Sequence, residues 1–129
     1  MNPSVLVVDD EPLTRNLLRL MLERAGFDIL EAEDGLKALL SVSENKPDVI
    51  VLDVMMPHMD GLTVCEKLRS NPETAVLPII LLSARANPEA VQEGMEAGAD
   101  EYLSKPVSRE ELIRTIRSVL EGLPSQSGG

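Results

Sequence analysis

Asp53 is where the chemistry of this chain is expected to gather. It closes an unbroken apolar run, Val49-Ile50-Val51-Leu52. Such a run, without polar alternation, reads as a strand buried on both faces. Met55-Met56-Pro57 and then Asp60-Gly61 take the backbone out of extended pairing and into a loop. A carboxylate therefore stands at the C-terminal tip of a central strand, the edge at which open parallel sheets bind ligands. A lone acid ending a buried run needs a partner. A carboxylate so placed can act as a nucleophile toward a phosphoryl group and form an aspartyl phosphate.

Other strand tips carry residues that suit this chemistry. Ser4 to Val8 ends on Asp9 and Asp10, Leu77 to Leu82 ends on Ser83, and Glu101 to Ser104 ends on Lys105. In a parallel sheet these tips share one edge, and with strand order 2-1-3-4-5 the acids of strands one and three share one crevice. Three carboxylates in one crevice repel each other unless a counter-ion is present. A hard cation such as Mg2+ resolves this, because it takes oxygen ligands and commonly one or two carboxylates. Asp10 and Asp53 are the expected direct ligands, with Asp9 acting through water and the backbone carbonyl of Met55 as a third protein ligand. The Met55 thioether is too soft for Mg2+. A transferring phosphoryl group spreads charge over its equatorial oxygens, so catalysis is largely positioning and neutralisation. Lys105 would pair with one oxygen as a point charge, and the Ser83 hydroxyl with another. Taken singly, plainer readings compete: Asp9-Asp10 as a helix cap before Pro12, Ser83 as a strand-end hydroxyl, Lys105 as a surface lysine. Their joint placement on successive strand tips favours a site.

The elements that must hold these residues follow from periodicity and punctuation. The expected strands are Ser4–Val8, Phe27–Ala32, Val49–Asp53, Leu77–Leu82 and Glu101–Ser104. Pro12 suits the first turn of a helix whose apolar positions are Leu13, Leu17, Leu20, Met21 and Leu22, closed by Gly26. Leu36 to Val42 gives a second helix ending near Asn45. Asp60 caps a third with Leu62, Val64, Cys65 and Leu68 on its apolar face. Asn87-Pro88 opens a fourth, stopped by Gly98. Ser108 and Glu111 form a capping box for the last, whose stripe is Leu112, Ile113, Ile116, Val119 and Leu120. Alternating strands and helices imply an α/β doubly wound parallel sheet with right-handed crossovers. No Gly-x-Gly-x-x-Gly or Gly-rich Lys-Ser/Thr loop is present, which disfavours dinucleotide or nucleoside-triphosphate binding.

Residues 1–121 are expected to form one domain, with 122–129 as a polar Gly/Ser/Pro linker or added tail. Aromatics make up 2% of the chain, so Leu, Val, Ile, Ala and Met must fill the core. A net charge of −10 argues against direct nucleic-acid binding, since phosphate backbones are held by Lys and Arg. No apolar run reaches the roughly 18 residues of a membrane span, and a cytoplasmic location is the default. Cys65, the only cysteine, excludes an intrachain disulfide and reads as a small core residue. His58, the only histidine, falls in a loop without helical phosphodonor context and is expected to be exposed.

Val7-Val8-Asp9-Asp10-Glu11, Asp53 with Met56-Pro57 and Asp60-Gly61, Ser83-Ala84 and Lys105-Pro106 together resemble the receiver domain of two-component response regulators, over about residues 4 to 121. The resemblance implies a flavodoxin-like fold with five strands in the order 2-1-3-4-5 and five helices. It implies Mg2+-dependent phosphorylation of Asp53 by a phosphohistidine on a sensor histidine kinase or histidine phosphotransfer protein, with Mn2+ able to stand in for the metal. The domain itself would assist its phosphorylation and dephosphorylation, and small phosphodonors could also serve. It further implies a switch, in which Ser83 moves toward the phosphate and Tyr102 rotates inward. The face of helix four, strand five and helix five would then change its preference for an output domain, a partner protein or a second copy. Met55 and Arg85 occupy the positions linked to phosphate lifetime. Met55 cannot donate a hydrogen bond to an attacking water, so a phosphate that outlasts that of Met55→Asn is expected. Two alternatives remain. One is a receiver-like interaction module that works without phosphorylation, which the intact acids, hydroxyl and lysine disfavour. The other is a phosphatase of the haloacid dehalogenase type, which wants a second acid where Met55 stands and a larger lid.

Overall fold

The structure is a computed structural model that describes residues 2–122. All but Gly122 of the expected tail, 122–129, lies outside the described residues. Five parallel strands run in the order β2-β1-β3-β4-β5: β1 Ser4–Val8, β2 Asp28–Ala32, β3 Val49–Asp53, β4 Ile79–Ser83 and β5 Glu101–Ser104. Helices α1 Pro12–Arg24, α2 Gly35–Asn45, α3 Gly61–Ser70, α4 Pro88–Glu96 and α5 Arg109–Leu120 connect and follow them. This is the expected flavodoxin-like, doubly wound α/β arrangement.

Side chains alternate across the sheet and feed two separate apolar layers. Leu6, Val8, Ile50, Leu52, Ile79 and Leu81 face α2 and α3, with Ala97 and Ala99 closing that layer beyond α4. Val5, Val7, Val49, Val51, Ile80 and Leu82 face α1 and α5. Every residue of β3 and β4 is buried, as their unbroken apolar runs require.

Caps set the helix entries. Asp34, Asp60, Asn87 and Ser108 accept backbone N–H groups at Lys37, Thr63, Ala90 and Glu111. Asp34 and Gly35 thus open α2, one residue ahead of the expected Leu36. Glu11 caps α1 by accepting from Leu13 N–H at 2.9 Å, which removes the reading of Asp9-Asp10 as the cap.

Three expectations need correction. β2 begins at Asp28: Phe27 is buried but gives its N–H to Leu22 O, closing α1 instead of joining the ladder. β4 begins at Ile79, because Pro78 has no N–H for the ladder and serves only as an acceptor from Ile50. On α1 the buried positions are Leu18 and Leu22, whereas Leu13, Leu17 and Leu20 are exposed. Leucines surround this helix, and its packing on β1 and β2 selects the stripe. On α2 Leu36 and Leu40 likewise face outward, while Ala38 and Val42 pack inward.

Candidate functional site

Register builds the site. Val8 pairs with Leu52, Asp53 with Leu82, and Ser83 with Ser104, so the strand tips end level. The chain then adds one bond past each ladder: Asp9 N–H donates to Ala32 O, Val54 N–H to Leu82 O, and Lys105 N–H to Ser83 O. These bonds fix the directions in which Asp9, Asp53 and Lys105 leave the sheet.

One carboxylate oxygen from each of Asp9, Asp10 and Asp53 lies within 4.8 Å of the others. Asp9 and Asp53 are buried, and Asp10 is exposed. Lys105 Nζ bridges the two buried acids, 3.0 Å from Asp9 Oδ2 and 3.3 Å from Asp53 Oδ1. Asp53 Oδ1 also accepts from Met55 N–H at 3.2 Å. The other oxygen, Oδ2, has no hydrogen-bond donor among the described residues and is the one left open to a ligand.

Burial raises the Asp53 carboxyl above its ordinary range; Lys105 opposes that rise and Asp9 adds to it. Burial works against the Lys105 charge, but its bonds to Asp9 and Asp53 outweigh this and hold the ammonium above its usual value. One ammonium thus serves two buried carboxylates, and a third acid adjoins them. Hard oxygen donors with excess negative charge are what a divalent cation requires, so the residues present fit a metal ion.

Ser83 is fully buried, and its hydroxyl accepts from Arg85 N–H at 3.0 Å. Tyr102 is half-buried on β5 and donates to Arg85 O at 2.5 Å. The loop after β4 is therefore held from both ends of the Arg85 residue, by a site hydroxyl and by an aromatic on the neighbouring strand. The Arg85 side chain is exposed, as is that of Met55. His58 is exposed in the loop after β3, as expected, with φ at +69°.

Several contributors were not anticipated from the sequence. Gly61 lies directly against the Asp53 carbonyl and Val54 Cα, so a side chain there would displace the backbone that carries Asp53. Gly94 of α4 makes room for the Tyr102 ring. Arg15 of α1 donates to Asp9 O at 2.7 Å. Only Gly61 carried a signal, as the residue after a helix cap. A cavity of about 690 Å3 lies at the opposite edge of the sheet, where Lys46, Leu68 and Leu77 are among its walls, and has no part in this site.

The comparisons with known proteins agree with this geometry. The family model for the response regulator receiver domain matches residues 5–117. The chain is 39% identical over 118 residues to a DNA-binding dual master transcriptional regulator, RpaA, of Synechocystis, covering 92% of this chain and 49% of that protein. It is 42% identical over 120 residues to the alkaline phosphatase synthesis transcriptional regulatory protein PhoP of Bacillus subtilis, covering 93% and 49%. The chain spans about half the length of the curated relatives it matches. Among solved structures, a response regulator from Chloroflexus aurantiacus superposes with a TM-score of 0.90 at 36% identity, covering 94% of this chain and 99% of that one. The receiver domain of the sensor histidine kinase PA1611 from Pseudomonas aeruginosa, with a magnesium ion in its active-site cleft, superposes with a TM-score of 0.87 at 28% identity, covering 94% and 99%. With the sheet order, the acid cluster and the bridging lysine in place, the chain belongs to the receiver domains of two-component response regulators, a family of phosphoacceptors.

Proposed function

We propose that Asp53 is the phosphoacceptor and that Asp10, Asp53 and the Met55 carbonyl hold Mg2+, with Asp9 acting through water and Mn2+ an acceptable substitute. The observation that carries this is the open Oδ2 of a buried aspartate whose other oxygen is already held by Lys105 and Met55 N–H. When bound, Mg2+ would supply positive charge to a phosphoryl oxygen and to the acids themselves.

The chain's own residues do the rest. Asp53 Oδ2 attacks phosphorus as the P–N bond to a donor imidazole breaks; the imidazole nitrogen keeps the electron pair and takes a proton. Lys105, already poised against Asp53, follows the charge to the incoming oxygens. Ser83 gives up its Arg85 N–H contact and turns its hydroxyl to the phosphate. The added charge of about −1.5 to −2 then biases the β4–α4 loop. Moving Arg85 loosens the Tyr102 bond to its carbonyl, and inward rotation of Tyr102 changes the α4–β5–α5 face.

The donor would be a sensor histidine kinase or a histidine phosphotransfer protein in the cytoplasm. The α4–β5–α5 face would serve an output domain, a partner protein or a phosphorylation-dependent second copy. The coverage of about half of longer transcriptional regulators supports an output domain joined to this one. Met55 and Arg85 would set the phosphate lifetime, with Met55→Asn shortening it. Self-assisted dephosphorylation would use the same groups with water as the attacking species.

Acetyl phosphate with Mg2+, read by intact mass, tests the proposal. One added phosphate, absent in Asp53→Ala, is expected. No adduct in the wild-type chain would favour an interaction module, and continuous phosphate release without an adduct would favour a phosphatase.

A further inference from the structure

We propose that Arg15 is a positioning residue for the acid cluster, acting through the peptide that joins Asp9 to Asp10. The proposal rests on the reading of Asp9, Asp10 and Asp53 as a cation site. Asp10 is the exposed member, and its carboxylate has no hydrogen-bond or ion-pair partner among the described residues. Its direction is therefore set by its backbone. That backbone has already left β1, and the carbonyl of Asp9 is held by a side chain, Arg15 Nη1, at 2.7 Å.

Arg15 is itself fixed. Its Nε meets Glu31 Oε1 at 3.1 Å, and its side chain is 18% exposed. Glu31 stands on β2 opposite Val7 of β1, two residues before Asp9. Arg19 lies against the other Glu31 oxygen at 3.0 Å, in charge contact although its Nε–H is not aligned for a hydrogen bond. One guanidinium thus ties α1, the exit of β1 and β2 together. Its rigid planar fork suits this two-ended hold, which a lysine could not reproduce. A charge-assisted bond to the carbonyl fixes the peptide plane, and with it the Cα–Cβ direction of Asp10. Groups that orient metal ligands in this way typically govern about 10- to 100-fold in metal affinity.

The electrostatics run against the geometry, which makes the proposal testable by sign. Arg15 places positive charge beside a cluster that must accept a cation. If charge alone mattered, Arg15→Met would bind Mg2+ more tightly than wild type. If Arg15 orients Asp10, the same variant binds Mg2+ more weakly.

Isothermal titration of the metal-free chain with MgCl2 at fixed ionic strength reads the affinity, and a thermal melt without Mg2+ checks folding. We expect about a tenfold or greater weakening in Arg15→Met. Arg15→Lys, which keeps the charge but loses the fork, should weaken binding as well. Unchanged or tighter Mg2+ binding by a folded Arg15→Met overturns the proposal. If that variant does not fold, Arg15→Lys decides: weaker binding supports the role and wild-type affinity refutes it. A wild-type chain that gives no Mg2+ heat, or an Asp53→Asn chain that binds Mg2+ as the wild type does, overturns the cation-site reading itself.

Discussion

Replacing Gly94 with alanine tests how Tyr102 is packed against α4. A Cβ built at Gly94 would lie 2.6 and 2.9 Å from two carbons of the Tyr102 ring and 3.0 Å from Leu81 Cδ1. Carbon atoms prefer about 3.5–4.0 Å, so the ring must move. Two effects oppose each other. Alanine in a helix interior is favoured over glycine by about 1 kcal/mol. Overpacking a closed site costs about 1–3 kcal/mol. Gly94→Ala should therefore destabilise the chain by about 0–2 kcal/mol, the difference of those two terms. In a Tyr102→Ala background the ring is gone and the Leu81 tip can swing aside. There the same substitution should stabilise by up to about 1 kcal/mol. Urea unfolding of the four chains in the cycle should then give a coupling of about 1–3 kcal/mol. The chain has one tyrosine and no tryptophan, so tyrosine fluorescence reports Tyr102 alone. Its emission should change in Gly94→Ala as the ring leaves the Arg85 carbonyl. A stabilisation of the same size in both backgrounds, with unaltered emission, would refute the reasoning.

Lys105→Met leaves Asp9 and Asp53 buried without their shared ammonium, which should cost about 2–4 kcal/mol at neutral pH in the absence of Mg2+. Because Asp53 already holds its proton more firmly in the folded state, this penalty should be absent at acid pH. It should grow as pH rises through the raised native value of Asp53 toward the still higher one that loss of Lys105 leaves, and Mg2+ should offset part of it. Urea melts across pH, with and without Mg2+, check both; a pH-independent penalty would contradict them. Cys65 is fully buried, donates to Ala97 O at 3.3 Å, and burial pushes its thiol up to about 11. At pH 8 roughly one thiol in a thousand is then ionised, so a disulfide reagent should label the native chain only at the rate of its opening. Labelling as fast as a free thiol would falsify this placement.

The arrangement of the candidate site was legible because its members follow strand-forming runs, and parallel topology converts strand ends into neighbours. Asp9, Asp53 and Ser83 end apolar runs, and Lys105 follows the short mixed run Glu101-Tyr102-Leu103-Ser104. The fold was legible for the same reason, helped by caps such as Asp60 and Asn87 that act within three residues of themselves. What stayed hidden depends on contacts between distant segments. Nothing local to Arg15 says that it will reach the Asp9 carbonyl, nor does Gly94 announce a ring from the next strand. Leu13, Leu17 and Leu20 misled because periodicity reveals that a helix has apolar stripes without telling which one meets the sheet. The late starts of β2 and β4 have a similar origin: Phe27 and Pro78 are apolar and buried or half-buried, yet hydrogen bonding decides strand membership.

The division of the interior by the sheet has a consequence for how such a domain can diversify. The α1–α5 layer and the α2–α3 layer share backbone but few side-chain neighbours, so changes on opposite sides should combine almost additively. A lineage can thus rewrite the side chains under one set of helices without retuning the other. New partners can be acquired on one flank while the reactive rim, fixed by strand register, stays where it was.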